Sequence, residues 1–364
     1  GEGRGRAGEG RRAQGQVRRT AMGRPIAAAV VVGLLACDRS PRPAAVPEPR
    51  PVATPTATWT VDGAALRDPC GEAVVLRGVN HPTMFVDRPG DALPEIAATG
   101  ANAVRLFWVA GADVPVAAAE PAIARAVALG MVPMLEMHDS TCKWELGGIV
   151  DAWTAPDTVA MIGRHQDNLL VNLANEASTD DDDAFERDTI AAVLRMREAG
   201  IRVPIVIDAT KCGRNLDVLL ARGPALIAAD PEHAIVLSWH AWDPLPRAEL
   251  DRAADRIVAS GLPIVIGEFG PRSPPGCGAP IDLDGVLAAA RRHHLGWLAW
   301  SWGDDAPGHD WNTDCGEFDM VDTFARTSLR GWGRSVALDS PDGIAQTSVR
   351  TAWQTTGRCT AHPR

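Results

Sequence analysis

Asn172-Leu173-Ala174-Asn175-Glu176 and Ile264-Val265-Ile266-Gly267-Glu268-Phe269-Gly270 are two apolar, strand-like runs that each end by presenting a glutamate. A strand that buries its body and offers a carboxylate at its C-terminal end is how a barrel of parallel strands assembles a site. Two carboxylates on separate strands supply a proton donor and a nucleophile, the pair that cleavage of a glycosidic bond requires.

Working outward, further short apolar runs fall at Val74–Val79, Ala103–Trp108, Val132–Met137, Leu169–Leu173, Val203–Ile207, Ala234–Trp239, Pro263–Ile266 and Trp297–Ser301. Amphipathic stretches lie between them: Ala117–Leu129 closed by Gly130, Phe185–Ala199 by Gly200, Arg247–Ser260 by Gly261, and Ile281–Leu295 by Gly296. A glycine just past the last periodic residue is a helix C-cap signal. Strands alternating with helices predict a parallel α/β sheet, and eight repeats predict a closed (β/α)8 TIM barrel. No Gly-x-Gly-x-x-Gly follows the first run, so a dinucleotide-binding fold has no support. Val61–Val75 predicts a small N-terminal hairpin turning near Asp68–Gly71, and a short C-terminal extension follows the barrel.

Read in order, the predicted strand ends carry Asn80-His81, Arg105, His138-Asp139, Asn175-Glu176, Asp208, His240, Glu268 and Trp302. Unpaired buried polar groups cost stability, so such a ring must be mutually hydrogen-bonded or functional.

These stretches resemble glycoside hydrolase family 5, a retaining (β/α)8 family. The matching segments are Leu76-Arg77-Gly78-Val79-Asn80-His81-Pro82, Asn102-Ala103-Val104-Arg105, Glu136-Met137-His138-Asp139, Asn172 to Glu176, Ser238-Trp239-His240, Ile266 to Gly270 and Ala299-Trp300-Ser301-Trp302. Trp332-Gly333 and Gly343 to Ser348, with the His-Asp segment, resemble the bacterial β-mannanase branch, subfamily 8. The resemblance implies Glu176 as acid/base and Glu268 as nucleophile, with carboxyls about 5–5.5 Å apart. It implies that Arg105 orients Glu268, that Asn175 holds the sugar 2-hydroxyl, that His138 and His240 shape the subsite of the cleaved sugar, and that Trp302 is its aromatic floor. It implies no metal and no cofactor. The family's usual tyrosine after the sixth-strand histidine is replaced by Trp242, in a chain with no tyrosine at all. An indole donates a hydrogen bond but cannot accept one or ionise. After the fifth strand, Thr210-Lys211-Cys212-Gly213-Arg214-Asn215 lacks the tryptophan often found in mannanases.

The expected function is therefore a retaining endo-acting β-glycanase that cleaves β-1,4-linked mannan. A β-1,4-glucanase of the same family is the first alternative, and a non-catalytic carbohydrate-binding barrel the second. His138, Asp139 and His240 as metal ligands is a weaker reading, because no His-x-His follows the first strand. Asp180–Asp183 reads as the acidic N-terminus of a helix.

The front end reads as an address. Met22, Arg24 and the apolar run Ile26–Ala36 form a secretory-signal pattern, with translation expected to start at Met22. Leu34-Leu35-Ala36-Cys37 resembles a bacterial lipoprotein box with Cys37 as the lipidation site. Residues 1–37 are assigned to this peptide, 38–58 to a Pro-rich spacer, 59–356 to the catalytic domain and 357–364 to a tail. The expected location is a cell-surface or periplasmic lipoprotein, or a secreted protein. Membrane contact is expected only through Cys37, and the enzyme is expected to be a monomer.

Charge fits a neutral-sugar partner. The net charge of −10 combines a basic leader, with ten Lys/Arg against four Asp/Glu in residues 1–57, and a body with 26 against 42. So acidic a body argues against nucleic acid and polyanionic ligands. Six cysteines besides Cys37 suggest three disulfides in an oxidising compartment, with fifteen pairings open. Cys277 and Cys315 fall in loops after adjacent predicted strands, which favours that pair and leaves Cys142–Cys212 and Cys70–Cys359.

Overall fold

The computed structural model describes residues 58–110, 114–303 and 316–359; the expectations for the leader, Cys37 and the Pro-rich spacer lie outside them. Three short strands come first: β1 (Thr60–Asp62), β2 (Ala65–Arg67) and β3 (Ala73–Val74), paired antiparallel in the order β1-β2-β3. The expected hairpin is thus a three-stranded sheet. Gly63, at φ +57°, makes the extra reversal in a left-handed conformation that glycine adopts freely.

Eight parallel strands follow: β4 (Arg77–His81), β5 (Ala103–Trp108), β6 (Val132–Met137), β7 (Leu170–Asn172), β8 (Ile205–Asp208), β9 (Ile235–His240), β10 (Ile264–Glu268) and β11 (Trp297–Ala299). They close into a barrel in chain order, with β11 pairing back onto β4. The fold is the expected (β/α)8 barrel. Helix Arg247–Ser260 ends at Gly261 as its sequence predicts. Helix Asp182–Glu198 begins at Asp181, whose carboxylate accepts from the Asp183 and Ala184 N–H groups. The acidic run is therefore a capped helix start. The predicted helix over 117–129 divides into a 3-10 turn, Val116–Ala119, and an α-helix, Glu120–Ala128. Pro121 near the helix start suits that division, since a first-turn proline has no intrahelical hydrogen bond to lose.

Strand parity explains both core and site. Side chains alternate across a strand. Ala103, Val132, Leu170, Val206, Val236, Val265 and Leu298 pack inward at the bottom of the barrel with Leu66, Val74 and Trp353. The antiparallel sheet thus plugs the end opposite the strand C-termini. Val104, Leu106, Leu135, Met137, Ile205 and Ile207 belong to the outer core with the helices. Two residues further along several strands the inward position becomes polar: Asn80, Arg105, Asn172, Asp208 and Ser238, all buried. The barrel is a packed apolar cylinder with a polar mouth.

Disulfides join Cys70 to Cys359 and Cys142 to Cys212. The first ties the residues expected to form a tail to the antiparallel sheet. Cys277 is also disulfide-bonded; Cys315, its expected partner, lies outside the described residues.

Candidate active site

Arg105 is the hub of the mouth. It points inward from β5, is 1% exposed, and donates to five neighbouring residues. Its Nη1 reaches Glu268 Oε1 at 2.7 Å and Asn80 Oδ1 at 3.0 Å. Nη2 reaches Asn172 Oδ1 at 2.7 Å and Asn175 Oδ1 at 2.6 Å, and lies 3.4 Å from Asp208 Oδ2. A guanidinium is a planar fork of five donors, so one residue can order several neighbours at once.

Glu268 stands at the end of β10, where the pairing with β9 shifts register between Ile266 and Glu268. Gly267 is at that irregularity. A Cβ there would strike Ser238 Oγ and come within 3.0 Å of His240 Nε2. A bulge re-aims the side chain beside it, which here turns Glu268 into the mouth. Its second oxygen, Oε2, accepts from Trp242 Nε1 at 3.1 Å. The tryptophan that replaces the family tyrosine therefore still donates to the carboxylate.

Glu176 follows β7 with φ +49°, unusual for a residue with a side chain. Its N–H donates to Asp208 Oδ2 at 3.0 Å. Its Oε1 lies 2.9 Å from His240 Nδ1, which is also 3.3 Å from Glu268 Oε2. A carboxylate oxygen from each glutamate and a ring nitrogen of His240 all lie within 4.8 Å of one another. The His240 ring is seated against Gly213, where any Cβ would collide with it. Asn175 directs Nδ2 to Thr141 Oγ1 at 2.9 Å.

The field separates the two glutamates. Burial pushes Glu176 above the usual carboxylate range, opposed by the His240 hydrogen bond and assisted by the Glu268 charge. Burial pushes Glu268 the same way, but His240 and Arg105 outweigh it and hold Glu268 below that range. His240 is raised well above an ordinary histidine: burial opposes its charge, and Glu268 and Asp208 together overcome that. Asp208 is held low, its burial outweighed by His240 and Arg105. Two like groups whose environments push their proton affinities apart are an acid and a base in waiting. Glu176, His240 and Glu268 are also close enough to surround a cation.

The aromatic expectation needs correcting. Trp302 is fully buried and packs in the outer core, with its Nε1 donating to Phe324 O at 3.2 Å. It cannot be the floor of a sugar subsite. Trp300 is instead the partly exposed tryptophan here, stacked on Phe107 at 4.7 Å with His138 at 5.8 Å in the same pile. The two tryptophans share strand parity in the sequence, but β11 ends at Ala299 and alternation does not continue beyond it. His138 is 17% exposed and lies 2.8 Å from Glu136 Oε1 through Nδ1. Asn80 joins the network as expected of the strand-end ring, whereas Glu136 and Asn172 belong to it with no role foreseen for them. The available signal was a polar residue at an inward position of an otherwise apolar strand.

A closed barrel with two buried glutamates at its mouth defines a glycoside hydrolase of the (β/α)8 class. A family model described as cellulase, glycosyl hydrolase family 5, matches residues 68–306, and the chain belongs to that family. It is similar to a mannan endo-1,4-beta-mannosidase of Streptomyces lividans, 32% identical over 294 residues, covering 78% of this chain and 73% of the relative. A mannan endo-1,4-beta-mannosidase of Cellvibrio japonicus (strain Ueda107) is 30% identical over 312 residues, covering 80% of this chain and 68% of the relative. Among solved structures, the beta-mannanase of Streptomyces thermolilacinus with mannohexaose superposes with TM-score 0.72 at 32% identity, covering 82% of this chain and 98% of that one.

Proposed function

We propose that this enzyme hydrolyses β-1,4-mannan internally by double displacement, with Glu268 as nucleophile and Glu176 as acid/base. The observation that carries the mechanism is the closeness of the two carboxylates, within 4.8 Å and bridged by His240. That separation suits a retaining enzyme; an inverting one needs about 6.5–9.5 Å to admit a water. In the first step a Glu268 oxygen bonds to the anomeric carbon. The bond to the leaving oxygen breaks as Glu176 delivers its proton there. In the second step Glu176, now a carboxylate, takes a proton from water whose oxygen attacks the same carbon and frees Glu268. Arg105 and Trp242 hold the two Glu268 oxygens, and Asn175 stands where a 2-hydroxyl would meet its amide. The mannan assignment is supported by the substrates of the relatives. The disulfides support export, and we extend the proposal to a lipid-anchored or secreted monomer.

The deciding experiment compares reducing-end release by residues 58–364 from soluble β-mannan, glucomannan, carboxymethyl cellulose and xylan. Release from mannan and glucomannan alone supports the proposal. Release from carboxymethyl cellulose alone keeps the mechanism and overturns the substrate. No release from any polymer, with glycan still bound, means a carbohydrate-binding barrel.

Two outcomes follow from the site itself. kcat/KM against pH should be a bell. The acid limb, where Glu268 gains a proton, lies below the usual carboxylate range, and the basic limb, where Glu176 loses one, lies above it. Initial rates across pH locate both limbs, and two limbs inside the ordinary carboxylate range would contradict the assignment. Trp300→Ala should lower kcat/KM on mannan by ~10–100-fold, about 1.4–2.7 kcal/mol of lost transition-state binding. Trp302→Phe should instead lower the melting temperature, as large-to-small core changes do, and leave kcat/KM near wild type. Steady-state kinetics and calorimetry on the two variants separate these effects; the opposite pattern would restore Trp302 to the subsite.

A further inference from the structure

The Cys142–Cys212 disulfide joins the loop after β6 to the loop after β8, with a Cα–Cα distance of 4.6 Å. Between those loops lies the turn after β7 that carries Glu176. Each half-cystine is tied into that turn. The Cys142 N–H donates to Glu176 O at 3.2 Å. The Cys212 N–H donates to Ser178 Oγ at 2.7 Å, and that hydroxyl donates to Glu176 O at 2.7 Å. Ser178 N–H in turn donates to Lys143 O at 2.9 Å. Glu176, Cys142, Lys211 and Cys212 all have φ between +49° and +59°. Non-glycine residues rarely adopt this conformation, and they keep it only where the surroundings over-determine it. Cys142 Sγ lies 3.9 Å from Glu176 Oε2, the oxygen that His240 does not hold. A half-cystine sulfur carries no proton, so this contact is packing. It sets an apolar, polarisable atom where water would otherwise solvate the carboxyl.

We propose that the Cys142–Cys212 disulfide is a positioning device for the acid/base: it clamps the Glu176 turn from both sides, and its sulfur shields the outer carboxyl oxygen from water. This rests on the reading of Glu176 as acid/base. Opening the disulfide frees the two loops, lets water reach Oε2, and so eases ionisation of Glu176. Protonation of poor leaving groups then suffers, whereas attack by Glu268 does not. The other charged groups around Glu176 are His240 from β9, Glu268 from β10, Asp208 from β8 and Arg105 from β5. The exposed Lys143 and Lys211 flank the two cysteines. All of these remain when the disulfide is removed, so a change in the basic limb belongs to the disulfide.

The test compares the C142A/C212A double variant with C70A/C359A, which removes a disulfide from the opposite end of the barrel. Substrates are the polysaccharide cleaved in the panel above and a 2,4-dinitrophenyl glycoside of the same sugar, whose leaving group needs no proton. In C142A/C212A the basic limb of the pH profile should fall by ~1 unit. kcat on the polysaccharide should fall ~10-fold near the original basic limb, with KM within ~2-fold and the first step on the aryl glycoside unchanged. C70A/C359A should lose melting temperature with no shift of the limb. If C142A/C212A does not fold, a folded C70A/C277A/C315A/C359A variant, in which Cys142–Cys212 is the one disulfide left among residues 58–364, is reduced with a phosphine at retained circular dichroism. The limb should then shift on reduction and return on reoxidation. A lower melting temperature with an unmoved limb and unchanged leaving-group dependence, in either format, overturns the proposal. If Glu176→Gln slows both substrates equally, the acid/base reading itself has failed, a result distinct from an unmoved limb.

Discussion

Glu268→Ala is expected to lose at least ~10⁴-fold in kcat on every substrate, activated aryl glycosides included, because a nucleophile is needed however good the leaving group. Alanine removes both oxygens that Arg105 Nη1 and Trp242 Nε1 hold at 2.7 and 3.1 Å. Of the neighbouring carboxylates, Asp208 is committed to the Glu176 N–H and to Asn172, and Glu136 is held to His138 through Oε1. The variant leaves a small space bordered by donors, which suits a small anion. Azide added to Glu268→Ala should restore turnover of a dinitrophenyl β-glycoside and yield the α-glycosyl azide, since one displacement inverts the anomeric carbon. Stopped assays and product NMR check both parts. Retained activity without azide would mean that another group attacks.

Glu176→Gln is expected to cost ~10²–10⁴-fold on the polysaccharide, the usual worth of a positioned proton donor. The first step on a dinitrophenyl glycoside should survive nearly intact. Glutamine keeps the shape and still offers a carbonyl oxygen to His240 Nδ1, now 2.9 Å from Glu176 Oε1. It has no proton to deliver and cannot accept one from water, so the second step is slowed as well. The glycosyl-enzyme should accumulate, visible as a burst of dinitrophenol and as added mass on the peptide containing Glu268. Azide should relieve the block and give the β-glycosyl azide, the product of two inversions. Equal slowing of both substrates without a burst would remove Glu176 from the acid/base role.

The sequence made the strands legible for a physical reason that also made the site legible. On β8, Ile205-Val206-Ile207-Asp208 is apolar until its last residue, and a buried carboxylate demands partners. The same reasoning holds for Arg105 on β5 and for Glu268 on β10. It could not say who those partners are. Asp208 serves the backbone of Glu176, the ring of His240 and the side chain of Asn172 together, a convergence of three elements that no local pattern encodes. Trp300 and Trp302 were indistinguishable because parity holds only while a strand lasts. The bulge at Gly267 was hinted at by a glycine inside an apolar run. The left-handed backbone of Glu176 carried no such hint, because its neighbours, not its own residue type, impose it.

The sheet of β1 to β3 plugs the bottom of the barrel, and Cys70 in its β2–β3 turn holds Cys359. The described body is thus entered at Thr58 and left at Cys359 on the face away from the catalytic mouth. An enzyme fastened to a bead, a cell wall or a fusion partner through either end would work like a lamp fixed by its base. Its opening would face the solution, where a polymer too large to diffuse between crowded surfaces can still thread across it.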